Sequence, residues 1–160
     1  MTSSSAISLC SAETDDEVAA VKTLFLDYAA FLGGDLCVQN FDKEMRAFPA
    51  FYARLLLAKM DGSSAGAVGL RDLGNGLCEM KRLYVHADYR GLGIGRRLCR
   101  EALRTAASLG FGAMCLGTLP RFTAAIALYE DLGFSETPPY ADNPEPGVIY
   151  MSRSLALPLT

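Results

Sequence analysis

The chain has 160 residues, 51% hydrophobic and 21% charged, with 15 basic against 18 acidic residues for a net charge of −3. That length fits one domain, 1–160, with enough buried surface to fold without a staple, and the composition excludes a disordered or collagen-like chain. Mean hydropathy is +0.19, yet no apolar run approaches the ~20 residues of a membrane-spanning helix; the longest candidate, 53–60, is broken by Arg54 and Lys59.

The first strand is expected at 6–10. Thr14 to Glu17 reads as a capping box, in which each end residue satisfies a backbone N–H of the other. The helix that follows places Val18, Val21, Leu24, Tyr28 and Leu32 on one face and stops at Gly33 and Gly34. A shorter helix is expected at about 41–48, before Pro49. Then come strands at 52–60 and 65–73, joined by an Asp61-Gly62 turn, and a strand at 78–85 after Gly74-Asn75-Gly76. A helix over 93–109 carries Ile94, Leu98, Ala102, Ala106 and Leu109 at helical spacing. A short buried strand follows at 113–117, then a helix at 123–132 and strands at 134–137 and 148–154, the last two linked by a proline-rich loop. The order β-α-α-β-β-β-α-β-α-β-β is mixed α/β (α+β), neither a Rossmann chain nor a sandwich.

The N-terminus lacks the basic start and apolar stretch of a secretory signal. Five widely spaced cysteines (Cys10, Cys37, Cys78, Cys99, Cys115), no CxxC and a single histidine, His86, argue against a zinc site or a disulfide framework. Reduced thiols in a cytoplasmic protein fit best. Charge is uneven: residues 81–104 hold seven bases (Lys81, Arg82, Arg90, Arg96, Arg97, Arg100, Arg104) against Asp88 and Glu101. In an acidic protein, such a cluster suggests a compact anionic ligand rather than nucleic acid.

Arg90-Gly91-Leu92-Gly93-Ile94-Gly95 lies between a strand and a helix, where glycines allow close approach of a ligand and the helix start offers unpaired N–H groups to a phosphate. It is neither GxGxxG nor a P-loop. Together with Glu79-Met80-Lys81-Arg82-Leu83-Tyr84-Val85 it resembles the acetyl-CoA segment of the GNAT N-acetyltransferase superfamily. Ala125 to Phe134 resembles that family's second signature.

The resemblance implies a central, mixed, mostly antiparallel twisted sheet of about six to seven strands flanked by four helices. It implies a pyrophosphate cradled by the amides of Gly91, Leu92, Gly93, Ile94, Gly95 and Arg96, with Arg90, Gly93 and Gly95 matching the family pattern. It also implies a pantetheine arm along Leu83, Tyr84 and Val85. Phe122 departs from the family, many members of which have Asn there, and this removes one expected side-chain contact.

The chemistry calls for three functions. A backbone N–H near Leu83 would face the developing oxyanion. Tyr129, in the matching family position, would protonate the leaving thiolate, its alternative being a core tyrosine. Glu79 would take the amine's proton, its alternative being an ion pair with Lys81 or Arg82. Strand alternation puts Glu79, Lys81, Leu83 and Val85 on one face and Met80, Arg82 and Tyr84 on the other. His86, Asp72 and Asp88 read as surface or turn residues and Cys115 as core. Tyr140 and Asn143 are candidate acceptor-pocket residues. The expected activity is acetyl-CoA-dependent transfer to a small-molecule primary amine by a monomer or homodimer, with no metal, membrane or nucleic-acid partner. The alternatives are a protein or peptide N-acetyltransferase and a non-catalytic acyl-CoA sensor.

Overall fold

The computed structural model describes residues 6–32, 38–140 and 147–158. The elements follow the expected order: β1 (Ile7–Ser11), α1 (Asp15–Leu32), α2 (Val38–Arg46), β2 (Arg54–Met60), β3 (Ser63–Asp72), β4 (Leu77–Val85), α3 (Ile94–Ser108), β5 (Ala113–Thr118), α4 (Thr123–Asp131), β6 (Ser135–Glu136) and β7 (Ile149–Ser154), with a 3₁₀ turn at Ala87–Tyr89. The capping box is present: the Glu17 amide donates to Thr14 Oγ1, and Glu17 Oε1 accepts from the amides of Thr14 and Glu13, all at 3.1 Å. Helix α1 ends at Leu32; Gly33 and Gly34 lie outside the described residues. Helix α2 starts and ends earlier than the spacing predicts, leaving Phe48 in a turn that packs on Phe25.

The seven strands form one sheet in the order β1-β2-β3-β4-β5-β7-β6. Every pairing is antiparallel except β4 with β5. That parallel pairing, the product of the α3 crossover, covers only Leu77–Ala113, Cys78–Met114 and Glu79–Cys115. From Met80 to Val85, β4 pairs with no strand on that edge among the described residues, so the sheet opens into a V whose apex is Glu79 and Cys115.

Strand β4 also carries a bulge. Ala67 pairs with Tyr84 but Gly69 pairs with Lys81, so β4 spends one residue more than β3 over the same stretch. The extra residue is Arg82, with φ 61. A bulge bends its strand and adds twist, which accompanies the divergence of β4 from β5. It also corrects the expected alternation. Leu83 and Val85 pack with Cys78 and Met80 on the α3 side, while Lys81 and Arg82, consecutive in sequence, both reach Glu44 of α2, and Tyr84 joins the α1 core. The period-2 template assumes an unbroken pleat, and one inserted residue exchanges the faces of everything after it.

Two hydrophobic clusters cover the sheet. One, under α3 and α4, runs from β2 across β4 and β5 to β7. The other, under α1 and α2, involves only the β1–β4 half, with Phe25, Leu57, Ala67 and Tyr52 at its centre. At the C-terminal end of α4, buried Arg153 donates to the Leu132 carbonyl at 2.6 Å, answering a carbonyl the helix leaves unpaired, and it ties in the C-terminal segment through the Leu157 carbonyl at 3.0 Å.

Gly69 makes room for the Tyr52 ring, since a Cβ there would lie 2.6 Å from two ring carbons. The ring cannot retreat, being wedged against Phe25, Phe48 and Phe51 with its hydroxyl donating to Glu44. Gly69→Ala is therefore expected to cost about 1–3 kcal/mol, as overpacking does, and to lower Tm by roughly 2–12 °C in calorimetry. An unchanged Tm would show that the ring yields.

Candidate functional site

The V between β4 and β5 forms a cavity of about 190 Å³. Leu83, Tyr84 and Val85 line its β4 wall, and Thr118 closes the β5 side. Helix α4 contributes Ala125 and Tyr129, preceded by Phe122, and α1 contributes Tyr28 and Phe31. Tyr28 stacks on Tyr84 with ring centroids 5.5 Å apart. Tyr129 is buried, edge-on to Phe134, and burial raises its hydroxyl above the ordinary tyrosine range, so it holds its proton at neutral pH. Phe122 occupies the N-cap of α4 without a side-chain cap bond, so this wall is apolar where a polar cap would offer a hydrogen bond.

The start of α3 packs beside Val85 of the cavity wall. Gly91 and Gly93 both have φ 82, in the left-handed region, and a Cβ at either would meet open space. The Arg97 amide is bonded to the Gly93 carbonyl at 3.1 Å. The amides of Ile94, Gly95 and Arg96 therefore precede the first intrahelical bond and have no helical partner. A Cβ at Gly95 would be 3.8 Å from Val85 Cγ2 and 4.0 Å from Leu128 Cδ2, which measures how closely β4, α3 and α4 converge. Open space, free amides and a positive helix end suit a phosphate. Arg90 folds over the rings of Phe31 and Tyr84 and donates through Nε to the Val85 carbonyl at 3.0 Å. Arg96 pairs with Asp131 of α4.

On the α2 side of β4 lies a polar network. Glu44 is 3% exposed; its carboxylate accepts from Arg82 Nε at 3.1 Å and Nη2 at 3.0 Å, and from the Tyr52 hydroxyl. Lys81 Nζ is 3.6 Å away. Burial opposes the charge of Glu44, but the Arg82 and Lys81 cations and the Tyr52 hydroxyl outweigh it and hold the carboxyl below the usual range. Glu79, 9% exposed, accepts from the Tyr140 hydroxyl at 2.6 Å through Oε2. Its Oε1 is buried without a hydrogen bond, 3.8 Å from both Lys81 Nζ and Arg71 Nη1. Arg71 lies over the Phe51 ring at 4.4 Å.

Of the expected site residues, Leu83, Tyr84, Val85, Arg90 and Tyr129 line the cavity; Gly91, Leu92, Gly93, Ile94, Gly95 and Arg96 follow Arg90 in the chain and lie outside that lining, with Gly95 packed beside Val85. Glu79 lies at the apex of the V, outside the cavity lining. Asn143 lies outside the described residues. His86 caps the 3₁₀ turn, accepting from the Asp88 amide, and Asp72 accepts from the Gly74 amide in its turn. Burial pushes the Cys115 thiol up to about 12, which leaves it unreactive. Tyr28, Phe31 and Thr118 escaped the sequence motifs. Only the helical spacing of Tyr28 hinted that it faces inward, and nothing local places it against β4.

The family model of the acetyltransferase (GNAT) family matches residues 18–134. An uncharacterized N-acetyltransferase of Schizosaccharomyces pombe is 36% identical over 156 residues, covering 94% of this chain and 96% of that one. An acetyltransferase of the GNAT family from Staphylococcus aureus MU50 superposes with a TM-score of 0.77 at 20% identity, over 94% of this chain and 99% of that one. A Salmonella typhimurium protein solved with its cofactor acetyl-CoA gives 0.68 at 20% identity, over 96% and 95%. The family match spans the bulged strand, the glycine-rich helix start and the tyrosine of α4, and this chain belongs to the GNAT acetyltransferase family.

Proposed function

We propose that the protein is an acetyl-CoA-dependent N-acetyltransferase that acetylates the primary amine of a small molecule by direct attack. The observation that carries this is the V in the sheet: an unpaired strand edge at Leu83–Val85 runs from a phosphate-suited helix start to a buried carboxylate. Acetyl-CoA, when bound, supplies an activated acyl carbonyl and a thiol leaving group. The amides of Gly91 to Arg96 hold its phosphates, and the free edge of β4 pairs with its amide-bearing arm as an added strand does. The Leu83 N–H faces the developing oxyanion. Tyr129 gives its proton to the departing sulfur, and Glu79 takes the amine's proton through water.

The test incubates purified protein with acetyl-CoA and a panel of primary amines, following free-thiol release and product mass. Turnover confined to small amines is expected. Turnover confined to lysine-bearing peptides overturns the acceptor class, and acetyl-CoA binding with no thiol release from any amine overturns the enzyme. Within this scheme Glu79→Gln keeps the Tyr140 contact and lowers kcat/KM for the amine by about 10²-fold, with acetyl-CoA affinity unchanged by calorimetry. Near-normal kcat/KM would reduce Glu79 to an ion-pair member.

A further inference from the structure

The φ of 61 at Arg82 is the most informative backbone angle in the sheet. Among the described residues, the other non-glycine residues with positive φ, Asp61 and Asn75, lie in turns and are of the types that tolerate it. An arginine in a central strand is neither. Two unfavourable features meet in this residue, a left-handed backbone and a charged side chain only 10% exposed. Such features persist when their surroundings over-determine them, and they collect at functional sites.

The surroundings are specific. Glu44, 38 residues away in sequence, grips the guanidinium with two hydrogen bonds, and the Phe41 ring lies 5.1 Å from it. Glu44 is itself fixed by the wedged Tyr52. A buried ion pair is a poor device for stability, because apolar residues of similar volume often serve as well. What this pair can do, and an apolar pair cannot, is pull residue 82 toward α2 along one fixed direction. The bulge then follows, and with it the face exchange that sends Tyr84 onto Tyr28 and Leu83 and Val85 onto the α3 side.

We infer that Glu44 and Arg82 are positioning residues: their buried ion pair braces the left-handed bulge of β4 and so sets where the Leu83 N–H stands on the edge of the cavity. The brace is a property of the fold. Its effect on turnover rests on the acetyl-transfer function proposed above.

Glycine occupies the left-handed region without penalty and therefore needs no brace. The test compares Glu44→Met/Arg82→Gly with Glu44→Met/Arg82→Met, since both lack the ion pair and neither leaves an orphan charge at the pair. Crystal structures of both read φ at residue 82, and steady-state kinetics read kcat and the KM for acetyl-CoA. The glycine variant is expected to keep positive φ and the methionine variant to relax to the β region. The kcat of the methionine variant should be lower by about tenfold or more, since loss of one oxyanion donor costs about 10²–10³. The KM for acetyl-CoA should rise in the methionine variant by a smaller factor than kcat falls, because the amides of Ile94, Gly95 and Arg96 are untouched and only the Leu83–Val85 edge shifts.

If the methionine variant does not fold, Glu44→Gln alone is compared with Glu44→Gln/Arg82→Gly. Restoration of kcat by the added glycine supports the brace, and no restoration overturns it. Positive φ in the methionine variant, or equal kcat in the two double variants, also overturns it. A wild type that turns over no amine, with φ shifting as expected, retires the proposed function and leaves the brace standing.

Discussion

Tyr129→Phe is expected to lose turnover by about 10²–10⁴-fold at neutral pH, the usual worth of a general acid, while keeping its affinity for acetyl-CoA. The ring makes the packing contacts, edge-on to Phe134 within the α3–α4 cluster, and phenylalanine preserves them, so Tm should barely move. Affinity should hold because the hydroxyl acts mainly in the transition state.

The pH dependence follows from the direction of the shift. Burial raises the Tyr129 hydroxyl above the ordinary tyrosine range, so it remains a donor at neutral and mildly alkaline pH, and the wild-type rate should not fall through its loss there. A thiolate released beside it is desolvated by the same walls, which raises its own proton affinity and keeps the two groups matched. The deficit of the phenylalanine variant should shrink as pH rises and the thiolate leaves unprotonated. The measurement is kcat at saturating amine across pH, beside a melting curve. A variant within a few-fold of wild type at pH 7 would leave water as the acid.

The second large effect is expected at the helix start. Gly93→Val should abolish acetyl-CoA binding while the protein stays folded. The Cβ would enter open space, so nothing in the protein resists it sterically, but φ 82 strains a branched side chain, at roughly 1–2 kcal/mol or more. That same open space is where a phosphate must approach the amides of Ile94, Gly95 and Arg96. Gly110, at the far end of α3, is a matched control: its φ is 94 and its Cβ would also meet nothing. Gly110→Val should therefore lower Tm by a similar amount and leave affinity untouched. Equal affinities for the two variants would move the ligand away from the α3 N-terminus.

The elements were legible where their signals are local. Thr14 and Glu17 specify a helix start within four residues, and the hairpin at Asp61-Gly62 follows from two residues that accept positive φ. The strand-to-helix turn at Gly91 and Gly93 announces itself for the same reason. The bulge at Arg82 has no such signal. Arginine carries no preference for a left-handed backbone, and the residue that braces it, Glu44, belongs to an element distant in sequence. The faces of Leu83, Tyr84 and Val85 were consequently out of reach of any local periodicity. Tyr28 and Phe31 reach the cavity only because α1 crosses β4, a fact of tertiary packing. Tyr140 was legible as a candidate by its loop, but its 2.6 Å bond to Glu79 joins residues 61 apart in sequence and is a fact of tertiary packing.

The two clusters of buried side chains are unequal, and the difference has a dynamic meaning. Under α3 and α4 the apolar layer is continuous across the parted strands, so it acts as the molecule's keel. Under α1 and α2 it stops at β4, and among the described residues no helix packs over β5 and β7 on that side. Opening free energies follow buried contact, so amide exchange should be slowest in β2, β3 and α3. It should be fastest where Tyr140 rests on Glu79, with Tyr150 beside it. The Tyr140 contacts to Glu79 and Tyr150 belong to neither cluster, so losing them leaves the keel intact. The apex carboxylate therefore sits where local opening costs little, while the strands that hold the cavity open move only with the whole sheet.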